Sequence, residues 1–135
     1  MREQDLWIQL HYGWRNKVHM TRVENTASFG MPDVNCCYQG VEFWIEHKIE
    51  KSDTVLFRPS QVAWLAARMK VQGLNRVFIV VGSTKWPEPR IYKASDIFTV
   101  EGALINVSSQ VKLLLNKLLW YNFDLSKLIL LCTTN

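Results

Sequence analysis

The chain has 135 residues, of which 48% are hydrophobic and 21% charged, so it can bury one substantial core and is not a disordered segment. Its formal net charge of +4 favours nucleic acid as a partner without requiring it. Three cysteines lack the spacing of a disulfide framework or a zinc site. Neither a signal pattern nor an apolar run of about 20 residues is present, which predicts a cytoplasmic protein with no membrane partner.

The first elements in chain order are an amphipathic helix and three short strands. Residues 3–15 place apolar side chains at helical spacing, and residues 18–24 predict a strand followed by a loop of turn-forming residues. Val34–Tyr38 and Val41–Lys48 then predict two strands. They are joined by Gln39-Gly40, a two-residue connection typical of a hairpin.

The middle of the chain predicts a helix followed by a buried strand. A polar connection over residues 49–59 leads to a helix that Ser60 caps and Gly73 ends. The apolar run at 76–82 is typical of a strand covered on both faces. The stretch "IYKASDI" predicts a further short strand.

The last third predicts helical structure. Leucines at helical spacing indicate a helix near 108–121, whereas the run at 126–132 fits either a strand or a helix. The order of elements predicts an α/β fold with a mixed central sheet flanked by helices. We expect one domain over 1–135, with a core at about 1–97 and a helical C-terminal extension at 98–135.

Three charged residues stand in or beside the hairpin, although a pleated, half-buried surface disfavours them: Asp33, Glu46 and Lys48. If Tyr38 pairs with Val41, counting back along both strands puts Asp33 opposite Glu46, with Cβ atoms about 4.5–5.5 Å apart. Lys48 shares this face, because alternate residues of a strand point the same way. Facing carboxylates repel, so a proton or a cation must lie between them.

A hard divalent ion suits this arrangement, since Mg²⁺ takes oxygen ligands and often shares a substrate phosphate. The ammonium of Lys48 beside it would position or deprotonate a water, or stabilise charge that develops on phosphorus. A metal and a lysine at a phosphate indicate hydrolytic chemistry. The alternative is a surface hairpin with a weak ion pair.

The pattern Pro32-Asp33, twelve residues, Glu46-x-Lys48 lies within the string "RVENTASFGMPDVN…GVEFWIEHK". It resembles the PD-(D/E)xK nuclease superfamily, and in particular its virus-type replication–repair nuclease (VRR-NUC) and Holliday-junction-resolvase-like branch, found in many phages. The resemblance covers roughly residues 1–97. It implies a restriction-endonuclease-like core and a divalent-metal-dependent DNA endonuclease, structure-specific for branched DNA or Holliday junctions, in phage recombination or repair.

The resemblance also implies roles for single residues. Asp33 and Glu46 would bind Mg²⁺ or Mn²⁺, the backbone carbonyl of His47 would be a further ligand, and Lys48 would be the catalytic lysine. The family usually has an apolar residue at the position of His47. By strand alternation this side chain faces away from the metal, as a packing or polar-contact residue.

An acidic residue on the first helix completes the metal site in the family. Glu3 matches best, and Glu24 at the end of the next strand is the alternative. Glu3 is equally explained as a solvated residue that is favourable at a helix N-terminus. Gln61 matches a glutamine that often lines the family's active site, although a plain helix cap explains it as well.

Five basic residues flank the predicted site on loops and strand ends, where we expect phosphate contacts: Arg22, Lys51, Arg58, Lys85 and Arg90. Trp86 either stacks on an unpaired base or packs against the prolines of its own loop. No helix-turn-helix, zinc finger or RNA-module motif appears, so we expect recognition of DNA shape and charge.

Two other functions stay open on the sequence. One is a non-catalytic DNA-binding module on a nuclease fold. The other is a sequence-specific endonuclease of the restriction type, whose base-reading element only the last third of the chain could supply. RNA as the substrate also stays open.

Symmetric cutting of a four-way junction requires two active sites, which a twofold homodimer provides most simply. The apolar runs at 108–121 and 126–132 either form that interface or pack onto the chain's own sheet.

Overall fold

The predicted hairpin forms and belongs to a five-stranded sheet in the computed structural model, which describes residues 1–23, 30–99, 103–105 (backbone only), 110–122 and 124–134. The described helices are α1 (Glu3–Trp14), α2 (Pro59–Gln72) and α3 (Leu125–Cys132). The described strands are β1 (His19–Arg22), β2 (Val34–Tyr38), β3 (Val41–Ile49), β4 (Thr54–Phe57), β5 (Val77–Gly82), β6 (Arg90–Lys93), β7 (Ala103–Ile105) and β8 (Val111–Leu114).

The main sheet has the order β1-β2-β3-β5-β6. Only the β3–β5 pair in it is parallel, and β4 and α2 lie in the connection between these two strands. A second, antiparallel sheet has the order β4-β8-β7. The predicted α/β fold with a mixed central sheet flanked by helices is therefore confirmed.

The hairpin has the register expected from its two-residue turn. Tyr38 pairs with Val41, and the ladder ends where Val34 pairs with Ile45. Gln39 and Gly40 have φ angles of 50° and 78°, and positive values at both turn positions suit the right-handed twist of a hairpin. Asp33 therefore enters β2 directly beside the C-terminal half of β3.

Each face of the main sheet carries its own apolar core. On one face α1 and α3 pack against the sheet through Leu10, Trp14, Leu128 and Cys132. On the other face α2 and the small β4-β8-β7 sheet pack against the main sheet. Phe57 and Leu65 are among the residues buried there. Strand β3 contributes to both cores, because its successive side chains alternate between the faces.

Several predicted elements need correction. Helix α2 begins at Pro59 and its N-cap is Arg58, so the predicted cap at Ser60 is wrong; proline suits a first helical position that needs no N–H donor. The helix does end at Gly73 as predicted, with a φ of 95°. The connection over 49–59 contains strand β4. In "IYKASDI" the strand ends at Lys93, and a 3-10 helix (Ala94–Phe98) follows it.

The helix predicted near 108–121 is wrong for the described part of that range. Strand β8 occupies Val111–Leu114 and a single 3-10 turn follows at Leu115–Lys117; residues 106–109 lie outside the described residues. Val111 and Leu113 are buried and Lys112 is exposed, which is the period of a strand. The run at 126–132 is helical in α3.

Leu113 and Leu128 are fully buried, so these parts of the C-terminal segment pack onto the chain's own sheets. None of the helices in the described ranges is both long and apolar enough to cross a bilayer.

Gly30 holds the segment before Asp33 against the first turn of α2. Its φ is 77°, and a Cβ atom there would collide with the backbone carbonyl of Ser60 and come within 2.7 Å of the Gln61 nitrogen. Only glycine permits both this conformation and this approach. The contact fixes the start of β2 relative to the helix that carries Gln61.

We expect Gly30→Ala to lower the free energy of unfolding by roughly 2–5 kcal/mol, because backbone strain and steric overlap both oppose it. Gly40→Ala is the matched control: its φ is 78°, but nothing lies within 4 Å of the added methyl group. It should cost only about 1–2 kcal/mol. Urea denaturation of both variants measures the difference, and equal losses would contradict the packing role of Gly30.

Candidate metal centre

Three carboxylates meet where the N-terminus of α1 approaches the start of β2 and the end of β3. One oxygen each from Glu3, Asp33 and Glu46 lies within 4.8 Å of the others. The predicted proximity of Asp33 and Glu46 is confirmed. A cavity of about 360 Å³ opens here, lined by Val23, Met31, Lys48, Arg58 and Gln61 as well as the three acids.

Asp33 is fixed by strand-like contacts on both sides. Its carbonyl accepts a hydrogen bond from the N–H of Val23 (2.7 Å), and its Oδ2 accepts one from the N–H of His47 (2.8 Å). The hydrogen bond of the Asp33 side chain thus extends the β2–β3 pairing by one position beyond Val34. Its orientation is set by the backbone of β3.

His47 is buried, and its Nδ1 lies 3.4 Å from Asp33 Oδ2. The imidazole therefore makes a polar contact with a predicted ligand, which refines the expectation that it faces away from the site. Its Nε2 has no hydrogen-bond partner among the described residues. The role of the His47 carbonyl as a metal ligand stays a prediction.

Gln61 connects the helix to the charged residues of β3. Its Oε1 accepts hydrogen bonds from the N–H of Arg58 (2.9 Å) and from Lys48 Nζ (3.0 Å), and its Nε2 donates to Glu46 Oε2 (3.1 Å). The glutamine is buried, so these bonds operate away from water. It both caps α2 and orients Lys48 and Glu46, and the two explanations suggested by the sequence are both satisfied.

The ammonium of Lys48 has three close neighbours among the described residues. Besides the bond to Gln61, its Nζ lies 3.7 Å from Glu46 Oε2 and 4.8 Å from the centre of the Phe57 ring. Only 14% of the lysine side chain is exposed. A lysine held in this way points a fixed charge at the cavity.

Burial, and after it the neighbouring charge of Asp33, raise the pKa of Glu46 from its ordinary value to about 8. The pKa of Glu3 is also raised, first by burial and then by Asp33. Three carboxylates in this space are therefore not all ionised at neutral pH unless a cation joins them.

The donor set fits a hard divalent cation. All three groups offer carboxylate oxygens, which Mg²⁺ and Mn²⁺ prefer, and the cavity has room for the waters that Mg²⁺ usually retains. Neither cysteine nor imidazole contributes to the cluster as described. Glu3 therefore lies in one cluster with Asp33 and Glu46, and its role as a metal ligand stays a prediction, whereas Glu24 lies outside the described residues.

The five basic residues predicted to contact DNA are not equivalent. Arg58 lines the cavity itself. Arg22 is exposed near α1, where its Nη2 donates to Gln4 Oε1 (2.7 Å), and Lys51 is exposed just after β3.

The charge of Lys85 is offset by Glu50 Oε2 at 2.6 Å and Asp53 Oδ1 at 3.2 Å. Arg90 stacks on Trp86, with 4.0 Å from Cζ to the ring centre. Trp86 itself is half-buried and packs against the core, which favours packing over base stacking for this residue.

Two contributors to the site were not identified from the sequence. Gly30 precedes the Pro-Asp pair in "FGMPD", and a glycine there is a signal for close backbone approach. Trp120, whose ring also contacts the Arg90 guanidinium, lies in a segment for which no local pattern predicts a role.

Comparison with solved structures identifies the fold. A Holliday junction resolvase from the archaeal hyperthermophile Archaeoglobus fulgidus superposes with a TM-score of 0.61 at 16% identity, over 94% of this chain and 94% of that one. A nuclease from a fusselovirus gives 0.57 at 15% identity, over 94% and 84%. The chain has a resolvase-like nuclease fold. No family model matches the sequence. No curated protein matches it either.

In the metal-free protein, Glu46→Gln should raise the free energy of unfolding at pH 8 and much less at pH 5. A raised pKa means that the protonated acid stabilises the fold below about pH 4.5, and that this contribution is lost as the pH rises towards about 8. Glutamine stays neutral, so the difference between variant and wild type should widen by up to ~1.4 kcal/mol per pH unit.

Urea denaturation in chelator at several pH values measures this difference. Glu42→Gln, on the same strand but half-exposed, controls for the change of charge. A difference that stays constant with pH would refute the burial effect on Glu46.

Proposed function

We propose that the protein is a divalent-metal-dependent DNA endonuclease of the PD-(D/E)xK type that hydrolyses phosphodiester bonds in branched DNA. The observation that carries the proposal is the convergence of Glu3, Asp33 and Glu46 beside a lysine whose ammonium is held by Gln61. The resolvase and nuclease neighbours support it through the shared fold. The basic balance of the chain supports an anionic substrate.

Each residue of the site has a role in this proposal that follows from its chemistry. Glu3, Asp33 and Glu46 would hold Mg²⁺ or Mn²⁺, which when bound would polarise the scissile phosphate and acidify a water. Lys48 supplies positive charge to the phosphate oxygens as negative charge grows on them, or orients the attacking water. Gln61 orients Lys48 and Glu46 through its hydrogen bonds. Arg58 attracts the phosphate backbone of the DNA to the cavity.

Branched DNA is the preferred substrate in this proposal, with a role in recombination or repair in a phage-infected cell. The absence of a base-reading motif in the sequence supports recognition by shape. A cleavage assay with Mg²⁺ or Mn²⁺ on four-way junction, flap, duplex and single-stranded DNA, and on RNA, tests it. A sequence-specific duplex endonuclease would cut only certain duplexes, and a non-catalytic module would bind DNA without cutting it.

Asp33→Asn should reduce cleavage to background while the protein stays folded, because a neutral amide is a poor ligand for a hard cation. Its metal affinity, measured by titration calorimetry with Mn²⁺, should fall in parallel.

Lys48→Ala should separate the two functions of the site. Cleavage should fall roughly 10²- to 10³-fold, whereas Mn²⁺ binding persists because the lysine is not a ligand. Lys112→Ala, an exposed lysine of β8, is the control and should match wild type in both assays. Wild-type cleavage by both site variants would eliminate the proposed mechanism.

We also propose a twofold homodimer, because symmetric junction cleavage needs two active sites. Some of the leucines in the C-terminal segment, on which the predicted interface was based, are buried inside the chain itself. The surface that supports it now comprises Ile8 and Tyr12 of α1 and Leu130 of α3, all at least 46% exposed on the two helices that cover one face of the sheet.

Light scattering should then give about twice the chain mass of 15.8 kDa. Leu130→Glu should shift the protein towards the monomer without unfolding it, since this side chain is 65% exposed. A monomeric wild-type protein at micromolar concentration would rule out the dimer and leave the metal site unaffected.

A further inference from the structure

The guanidinium of Arg90 contacts two indole rings at the edge of the main sheet. Its Cζ is 4.0 Å from the ring centre of Trp86 and 4.9 Å from that of Trp120, so the three side chains form a stack. Within the described residues Arg90 forms no ion pair with a carboxylate, in contrast to Lys85 in the loop before it. Its charge is thus available to an external anion.

The two rings of this stack differ in what they contact. Trp86 is half-buried and packs on the core, whereas Trp120 is 44% exposed and its neighbour Leu119 is 71% exposed. Two backbone hydrogen bonds between Ile91 and Tyr121, of 3.2 and 2.8 Å, fix the segment that carries Trp120 to strand β6. The backbone next to Trp120 is therefore tied to the main sheet.

Arg90 lies on the same face of the main sheet as Lys48. Lys48 pairs with Val81 across β3 and β5, and Val81 pairs with Arg90 across β5 and β6. Partners in a ladder point to the same face, so Lys48 and Arg90 lie on one face two strand spacings apart, roughly 10 Å at about 4.8 Å each. This distance is on the order of three nucleotides of stacked strand at about 3.4 Å each.

We propose that Trp120, supported by Arg90 and Trp86, is a stacking site for an unpaired nucleobase a few nucleotides from the scissile phosphate. The inference rests on the proposed nuclease function and names the feature of the substrate that this part of the surface recognises. An indole offers a flat apolar face to any base, and the guanidinium beside it, which forms no ion pair with a carboxylate among the described residues, attracts the adjoining phosphate. Bases within an intact duplex are already stacked, so the site distinguishes DNA that carries unpaired bases.

The test compares binding of two DNA ligands by proteins that carry Asp33→Asn to prevent cleavage. One ligand is a plain duplex, and the other is the same duplex with a three-base bulge that contains 2-aminopurine. Trp120→Ala should weaken binding to the bulged DNA roughly 5- to 100-fold and binding to the duplex by less than about twofold. Binding should quench the 2-aminopurine fluorescence in the parent and not in Trp120→Ala.

Two further variants separate stacking from simple hydrophobic contact. Trp120→Phe keeps an aromatic face and should restore most of the affinity and quenching. Leu119→Ala removes a more exposed apolar side chain that is not part of the stack, and it should behave as the parent does.

Equal losses for both ligands, an unchanged ratio, or a change of oligomeric state in Trp120→Ala alone would overturn the stacking role. If the parent binds no DNA at all, the proposed function and the stacking role fall together. If the parent prefers the bulged DNA and Trp120→Ala keeps that preference, only the stacking role falls.

Discussion

The repulsion between Glu46 and the two other carboxylates is the constraint around which the site is organised. A buried acid beside Asp33 and Glu3 is unfavourable in its charged form, and the protein without a cation relieves this by retaining a proton. The same arrangement makes the cavity selective for a species that brings positive charge. Charge repulsion destabilises the protein without a cation and would be relieved by a bound cation, so the fold loses stability in order to form this site.

Two hydrogen bonds and one close backbone approach keep Asp33 and Glu46 together despite that repulsion. The N–H of His47 holds Asp33, the close approach at Gly30 anchors the preceding loop on α2, and Gln61 joins α2 to Glu46. The first and the third contact join Asp33 and α2 to β3, and the second joins the loop to α2. The geometry of the acids therefore depends on the hairpin, the helix and the loop together, and local flexibility would allow the carboxylates to separate.

The face of the sheet that carries Lys48 also carries Arg90, two strands away. The Glu50–Lys85 pair contributes little net charge, and the cations available to phosphates include Arg58 and Lys48 at the cavity and Arg90 at the aromatic stack. Val81 pairs with both Lys48 and Arg90 and is buried, so the core separates these two positions. The proposed stacking site therefore lies apart from the reacting phosphate.

The sequence by itself determined the hairpin, its register and the meeting of Asp33 with Glu46, because a two-residue turn and strict alternation leave one arrangement that buries the apolar residues. It also determined α1, the buried strand β5 and the mixed sheet. It misjudged Val111–Leu114, where leucine spacing suits a helix but pairing with β4 and β7 favours a strand. Only the tertiary structure decided that Gln61 reaches Glu46, that His47 contacts Asp33, and that Trp120 stacks on Arg90. These contacts join residues 14 to 30 positions apart through the packing of separate elements, and no local pattern encodes such distances.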